Sequence, residues 1–294
     1  MSISKTITEN PVVKMTRDLF KHFGAQNSMF HGAALAYYAV FAMVPLLYLA
    51  ISGFGLFVGN ETMVEVISTI LKENVGIKDS SGILDFLNTL DFEHGNVLLS
   101  IMGIGALVIS STAFLTSLRN SLNDFFDVKL KHTSARKKIM SNLISRGTSL
   151  GLMMLTGVTV IVFYFAESVF LSMVGQLIEG FDLLNGFVRF LIVHAVPIVS
   201  NTVIFIFVFK FLHDGKVTWA LAKRGAFFTG ILLYLGQILI KYYLTNYFFA
   251  SGSGVAGSII VILVWMFYTS QIIFLGASFT KVLGKKINQE IKSR

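Results

Sequence analysis

The chain has 294 residues, of which 54% are hydrophobic and only 14% charged, with a mean hydropathy of +0.72. That balance leaves too little polar surface for a water-soluble globule of this length, and the absence of cysteine excludes a disulfide framework, thiol catalysis and Cys-ligated metal. The net charge of +8 would suggest a nucleic-acid partner on a soluble domain, but the basic residues here flank long apolar runs and do not gather on one face.

In chain order, residues 1–32 form a basic segment. Within it, Val12, Leu19, Phe20 and Phe23 alternate at helical spacing with Lys14, Arg17 and Lys21. This pattern predicts a short amphipathic helix from Pro11 to Phe23, lying in the cytoplasmic interface on anionic lipid headgroups; a gate at an inner mouth is the functional alternative. No apolar stretch with a small-residue cleavage site precedes it, so the first span is expected to act as the insertion signal.

Six apolar blocks follow, at about 33–59, 97–118, 147–178, 190–209, 225–240 and 255–280, most of them near the roughly 20 residues that span a bilayer's hydrocarbon core. Block one has Pro45 near its middle and block four contains Pro197, so each helix is expected to bend or break within about one turn of its proline. A packing kink is the simpler reading; two matched interruptions in inverted halves would instead mark a binding site. Gly55 and Gly59, like Gly147 and Gly151, have the spacing that lets helices approach closely. Trp265 and Tyr268 lie deep in block six, whereas Trp219 and Tyr242, Tyr243 and Tyr247 flank block five as interfacial anchors.

Polar groups within the blocks are scarce. Glu167 falls roughly 30 Å along its helix from Gly147, near the outer interface. Arg189 and His194 enter at similar depth from block four, so the three form a candidate outer polar cluster. Asn201, Gln237 and Gln271 lie deeper, where such groups usually join helices.

The connecting segments sort by charge. Segments 1–32, 119–146, 210–224 and 281–294 hold 20 of the 24 Lys and Arg, whereas 60–96, 179–189 and 241–254 hold four, together with nine of the sixteen acidic residues. Cytoplasmic loops retain positive charge. The expectation is therefore an all-α polytopic membrane protein: a six-helix transmembrane bundle over 33–283, with both termini cytoplasmic and short interfacial amphipathic helices. It comprises the N-terminal segment 1–32, an outer loop 60–96 that could cap the bundle or act as a lid, a basic inner loop 119–146 and a basic tail 284–294.

Several stretches resemble the YihY/BrkB family of bacterial inner-membrane proteins, formerly named ribonuclease BN. Gly32-Ala33-Ala34-Leu35-Ala36-Tyr37-Tyr38 leading to Phe41-Ala42-Met43-Val44-Pro45 is similar to the family's first-span signature, with Ala42 in place of the usual Ser. Ser117-Leu118-Arg119-Asn120-Ser121-Leu122-Asn123 resembles its leucine-asparagine motif. Trp219 through Gly225-Ala226, Gly257-Ser258, Leu263-Val264-Trp265-Met266-Phe267-Tyr268 and Leu275-Gly276-Ala277 match best. Leu212-His213-Asp214 departs from it, because the family commonly has a proline there. The resemblance implies a six-helix inner-membrane protein, for members of which transport of lipid or envelope glycolipid has been proposed.

The nuclease name finds no support in the residues. The six histidines form no His-x-His or His-Glu-x-x-His pattern, no cytoplasmic acidic cluster accompanies them, and no phosphate-binding glycine loop of the P-loop type occurs. No catalytic residue, metal, cofactor or nucleic-acid partner is expected. Two readings remain. One is a transporter or flippase of a lipid or other amphipathic envelope molecule, its path lined by Tyr37, Tyr38, Pro45, Asn120, Asn123, Asn201, Trp265 and Gln271. The other is a membrane scaffold that moves nothing. A small-solute channel ranks below both, since the spans lack ionisable relays. The expected partners are membrane lipids, with anionic headgroups at the cytoplasmic face.

Overall fold

The computed structural model describes residues 11–41, 59, 64–65, 68, 97–128, 184–243, 246 and 255–293. In chain order these give α1 (Pro11–Ala25), α2 (helical residues 28–41), α3 (Val97–Phe125), α4 (Leu184–Phe211), β1 (Gly215–Lys216), α5 (Trp219–Tyr243), α6 (Val255–Lys286) and β2 (Lys292–Ser293). Among the described residues, three stretches are long and apolar enough to cross a membrane: His194–Phe211, Trp219–Tyr243 and Ile259–Lys286. Large apolar side chains such as Val199, Leu235, Leu239 and Val264 lie exposed along them. In water such surface would be costly; in lipid it is the expected exterior.

Apolar blocks two, four, five and six correspond to α3, α4, α5 and α6, each continuing into the polar residues that flank the run. The start of block one lies in α2. Its remainder, with Pro45, and all of block three, with Glu167, lie outside the described residues. At Pro197 the helix does not break: α4 continues from Leu184 to Phe211. A proline removes one backbone bond, but breaking the helix further inside a bilayer would expose more unpaired groups.

Helix ends follow a common chemistry. Asn27, Asp127 and Asn288, just past α1, α3 and α6, take left-handed φ values of 50°, 53° and 55°. Asn and Asp tolerate this conformation better than other residues with a Cβ. At α3 the Val128 N–H donates to the Asn123 carbonyl at 2.8 Å, and at α6 the Gln289 N–H donates to Gly284 at 2.8 Å. Both are Schellman closures, which satisfy the last carbonyls and turn the chain sharply.

The chain divides into two compact units. The first holds Met1–Ser28, Arg119–Tyr234 and Ile272–Arg294. Its core contains the buried rings of Phe125, Phe126, Phe209 and Phe274, with Phe125 stacked on Phe274 at 4.6 Å and Phe126 edge-on to Phe209 at 5.9 Å. Antiparallel α5 and α6 meet through a reciprocal pair of Gly-x-x-x-Thr sequences. A Cβ at Gly225 would stand 2.9 Å from the Thr280 Cβ, and one at Gly276 would stand 2.9 Å from the Thr229 Cβ. Each threonine donates its hydroxyl to the carbonyl of the glycine four residues earlier, at 2.8 and 2.7 Å, so no buried hydroxyl is left over at this contact. Antiparallel β1 and β2 pair Gly215 with Ser293 and Lys216 with Lys292, and beside them Ile291 is buried.

The second unit holds Met29–Leu118 and Leu235–Gln271. Leu35, Ala36 and Ala39 are buried on α2, while Gly32 admits the Gln271 amide and the Phe267 ring edge so closely that a Cβ would lie 3.2 Å from Phe267 Cε2.

Candidate functional site

Two polar constellations stand out, both in the first unit. The first is a clamp on Asp214, in the turn between α4 and β1. Arg119 and Asn123 sit four residues apart on α3 and so share a face. Arg119 donates through Nε to Asp214 Oδ2 at 3.1 Å and through its terminal nitrogen to Oδ1; Asn123 Nδ2 donates to Oδ2 at 2.8 Å. The Asn123 carbonyl oxygen also receives the Asp214 N–H at 2.8 Å. Burial raises the Asp214 pKa, but the Arg119 and Asn123 bonds outweigh it and hold the carboxyl below its ordinary value of 3.8. Beside it, His213 Nε2 faces the Phe209 carbonyl at 2.7 Å and Nδ1 receives the Gly215 N–H at 2.9 Å. A carbonyl can only accept and an N–H can only donate, so these bonds define the Nε2–H tautomer. These bonds shape the turn that follows α4.

The second constellation is an open cleft of about 940 Å³ between α1 and the end of α6. The wall from α1 is one helical face, with Pro11, Lys14, Met15, Asp18, Lys21, His22 and Ala25 recurring every three or four residues. The opposite wall carries Lys281, Val282, Lys285, Lys286 and Glu290, and Asp127 enters from the turn after α3. The left-handed Asp127 backbone brings its carboxylate to the Gln26 amide, Nε2 at 2.9 Å, to Lys281 Nζ at 3.3 Å and within 3.5 Å of His22 Nε2. The last distance lacks hydrogen-bond geometry, so it is an electrostatic contact only. His22 Nδ1 lies 3.2 Å from the Ser278 hydroxyl. Burial lowers the His22 pKa below 6.5, with the Lys281 charge in the same direction, and the nearby Asp127 recovers only part of that shift.

Lys281 is held further by the Phe126 carbonyl at 2.8 Å, and Lys286 reaches the Pro11 carbonyl at 3.4 Å. The lining thus has five lysines against three carboxylates, a net excess of two positive charges, and Lys14, Lys21 and Lys285 are its lysines without a hydrogen bond or ion pair among the described residues.

The residues proposed from sequence scatter. Asn123 is buried and committed to Asp214, whereas Asn120, on the same helix, is exposed. Asn201 is buried within α4, Tyr37 is exposed, and Tyr38 and Trp265 are half-buried. Tyr37 packs on Tyr38 and Phe41 with centroids at 5.5 and 4.7 Å. Gln271 lies against Gly32. None of these lines the cleft. Of the outer cluster, His194 pairs with the Tyr234 hydroxyl and meets the Phe190 ring at 4.3 Å, Arg189 lies in α4, and Glu167 is outside the described residues. Among the described residues, no group of three His, Asp or Glu could hold a metal ion.

No sequence pattern singles out Asp214, Asp127, His22 or Lys281. The signal that exists is modest: Arg119 and Asn123 at i, i+4, and single acids just beyond apolar helices.

Long apolar helices, lipid-suited surfaces and polar groups gathered at helix ends define a polytopic helical membrane protein. The chain belongs to the family described as Virulence factor BrkB, which matches residues 19–294. It is 23% identical over 269 residues to a UPF0761 membrane protein of Saccharophagus degradans, covering 92% of this chain and 59% of that one. A UPF0761 membrane protein of Chromohalobacter salexigens is 23% identical over 285 residues, covering 95% and 65%. One from Psychromonas ingrahamii is 25% identical over 267 residues, covering 87% and 82%. The chain thus spans about three fifths of the length of the first two relatives. No solved structure matches it.

Proposed function

We propose that this protein lies in a bacterial inner membrane with six spans and both termini in the cytoplasm, and that it carries a lipid or glycolipid between leaflets without acting as an enzyme. The observation that supports this best is the cationic cleft beside an amphipathic helix: α1 exposes Val12, Val13 and Phe20 outside the cleft while its charged face lines it. Such a helix rests at a headgroup layer, and the cleft then lies where an amphiphile's polar end would arrive.

Two measurements test the reading. Purified protein in liposomes should accelerate exchange of a fluorescent glycerophospholipid between leaflets, measured by reduction of the outer-leaflet probe; no acceleration over protein-free vesicles would favour the scaffold reading. Single cysteines at Ser80 and Ser253 should react with an impermeant thiol reagent in intact cells, and one at Ser134 should not. Labelling at Ser134 alone would reverse the topology.

A further inference from the structure

We propose that the cleft between α1 and the end of α6 is a binding site for a phosphate-bearing headgroup, with Lys14, Lys21 and Lys285 as its contacts and the Lys281–Asp127 pair as its fixed floor. The proposal rests on the transport reading only for where the ligand comes from; binding itself is measured without translocation.

The cleft lining carries two more lysines than carboxylates, and Lys14, Lys21 and Lys285 make no ion pair among the described residues. Asp127 already has Lys281 and Gln26, so it cannot neutralise the remaining lysines. Asp18 pairs only at 4.0 Å with Arg17, which lies outside the cleft lining, and Glu290 stands exposed on the far wall. Lys14 and Lys21, two turns apart on one face of α1, approach the cleft from one side and Lys285 from the other. Lys285 also stands in the last turn of α6, where a helix end stabilises cations. That effect accounts for one lysine at a helix terminus, and Lys14 and Lys21 occupy the first and later turns of a different helix. A tetrahedral oxyanion offers several oxygens to donors arriving from different directions, and ammonium groups serve such an anion as point charges without needing a planar fork. A carboxylate ligand, planar and carrying two oxygens, would use fewer of them. The volume of about 940 Å³ admits a headgroup with its first ester carbons.

The phosphate could belong to a lipid or to a soluble phosphate ester, and the experiment separates them. Full-length protein in mild detergent would be examined by native mass spectrometry with phosphatidylglycerol, phosphatidic acid or phosphatidylcholine added, and by competition with inorganic phosphate and glycerol 3-phosphate. Each basic contact at an anionic surface changes affinity roughly fivefold. The anionic lipids should therefore be retained at least about tenfold more tightly than phosphatidylcholine. Lys14→Gln with Lys21→Gln and Lys285→Gln should bring that preference to within about twofold, and the corresponding Arg triple variant should preserve it. A charge-matched control, Lys216→Gln with Lys223→Gln and Lys292→Gln, should leave it intact. Because the three cleft lysines make no hydrogen bond or ion pair among the described residues, the variants should keep their unfolding midpoint, which is checked alongside.

Displacement of the lipid by millimolar glycerol 3-phosphate would assign the site to soluble phosphate esters, and resistance to it would assign the site to lipid. Equal loss of preference in the control variant would show diffuse attraction and overturn the site, as would equal retention of all three lipids. Intact headgroup binding with no leaflet exchange would leave the site standing and remove the transport reading alone.

Discussion

The Asp214 clamp and the α1–α6 cleft use the same residue types to opposite ends. In the clamp, an Arg, an Asn and an Asp from two segments are bonded to one another, with Arg119 and Asp214 each about a quarter exposed. In the cleft, charge is concentrated and left partly unmatched. Matched groups fix a turn. Groups without a protein partner, which water alone must solvate, are available to a ligand.

The largest expected effect comes from opening the clamp. Asp214→Leu removes the carboxylate that Arg119 and Asn123 bond, and should lower unfolding stability in mild detergent by about 2–3 kcal/mol, somewhat less than for a fully buried pair because both partners retain solvent. Asp214→Asn keeps the shape and should lose roughly half as much. A midpoint unchanged in both would show that the turn is held by packing alone.

Next is the close contact of α5 with α6. Gly276→Ala should cost about 1 kcal/mol, because overpacking against Thr229 exceeds the helix-propensity gain of alanine. Adding Thr229→Ala removes the obstructing side chain and should restore stability; failure of that rescue would refute direct contact.

Acidification should distinguish the two constellations. His22 has a folded pKa below 6.5, so on lowering the pH through that value the unfolded chain takes up protons before the folded one, and stability falls. Asp214, depressed below 3.8, contributes stability present above its unfolded pKa and lost only as pH falls through the folded value. Unfolding midpoints between about pH 7.5 and 5 should therefore decline in the native chain and flatten in His22→Gln, with the clamp unaffected. A decline that persists in His22→Gln would assign the proton uptake elsewhere.

The smallest effect is expected from the unmatched lysines. Lys14→Gln or Lys21→Gln should shift stability by no more than about 0.5 kcal/mol, since no contact within the described residues is lost. A larger destabilisation would show that these side chains are structural, and would erase the contrast with the clamp.

Much of the scaffold is legible in the order of residues alone. Four of the six apolar runs become α3 to α6, the amphipathic stretch from Pro11 becomes α1, and Leu118, Leu122, Phe125 and Phe126 are buried. The site is far less legible. Asn123 reads in sequence as a neutral polar group facing a path, but its oxygen and nitrogen are both taken by Asp214, 91 residues away. Sequence gives the polarity of a residue and the face it occupies; it does not give the residue that meets it. Gly225 and Gly276 are legible only as parts of motifs, because their packing role depends on threonines approaching from another helix.

Composition and periodicity by themselves determined that the chain is helical and suited to a membrane, because hydrocarbon demands long apolar segments whose backbone groups are bonded internally. Tertiary structure decided which charges are neutralised and which remain open. Asp127 reaches His22, Gln26 and Lys281 only because a left-handed turn ends α3 beside α1 and α6. Coulomb and hydrogen-bond energies depend on distances of a few ångströms, and between residues more than about a hundred positions apart those distances are set by packing.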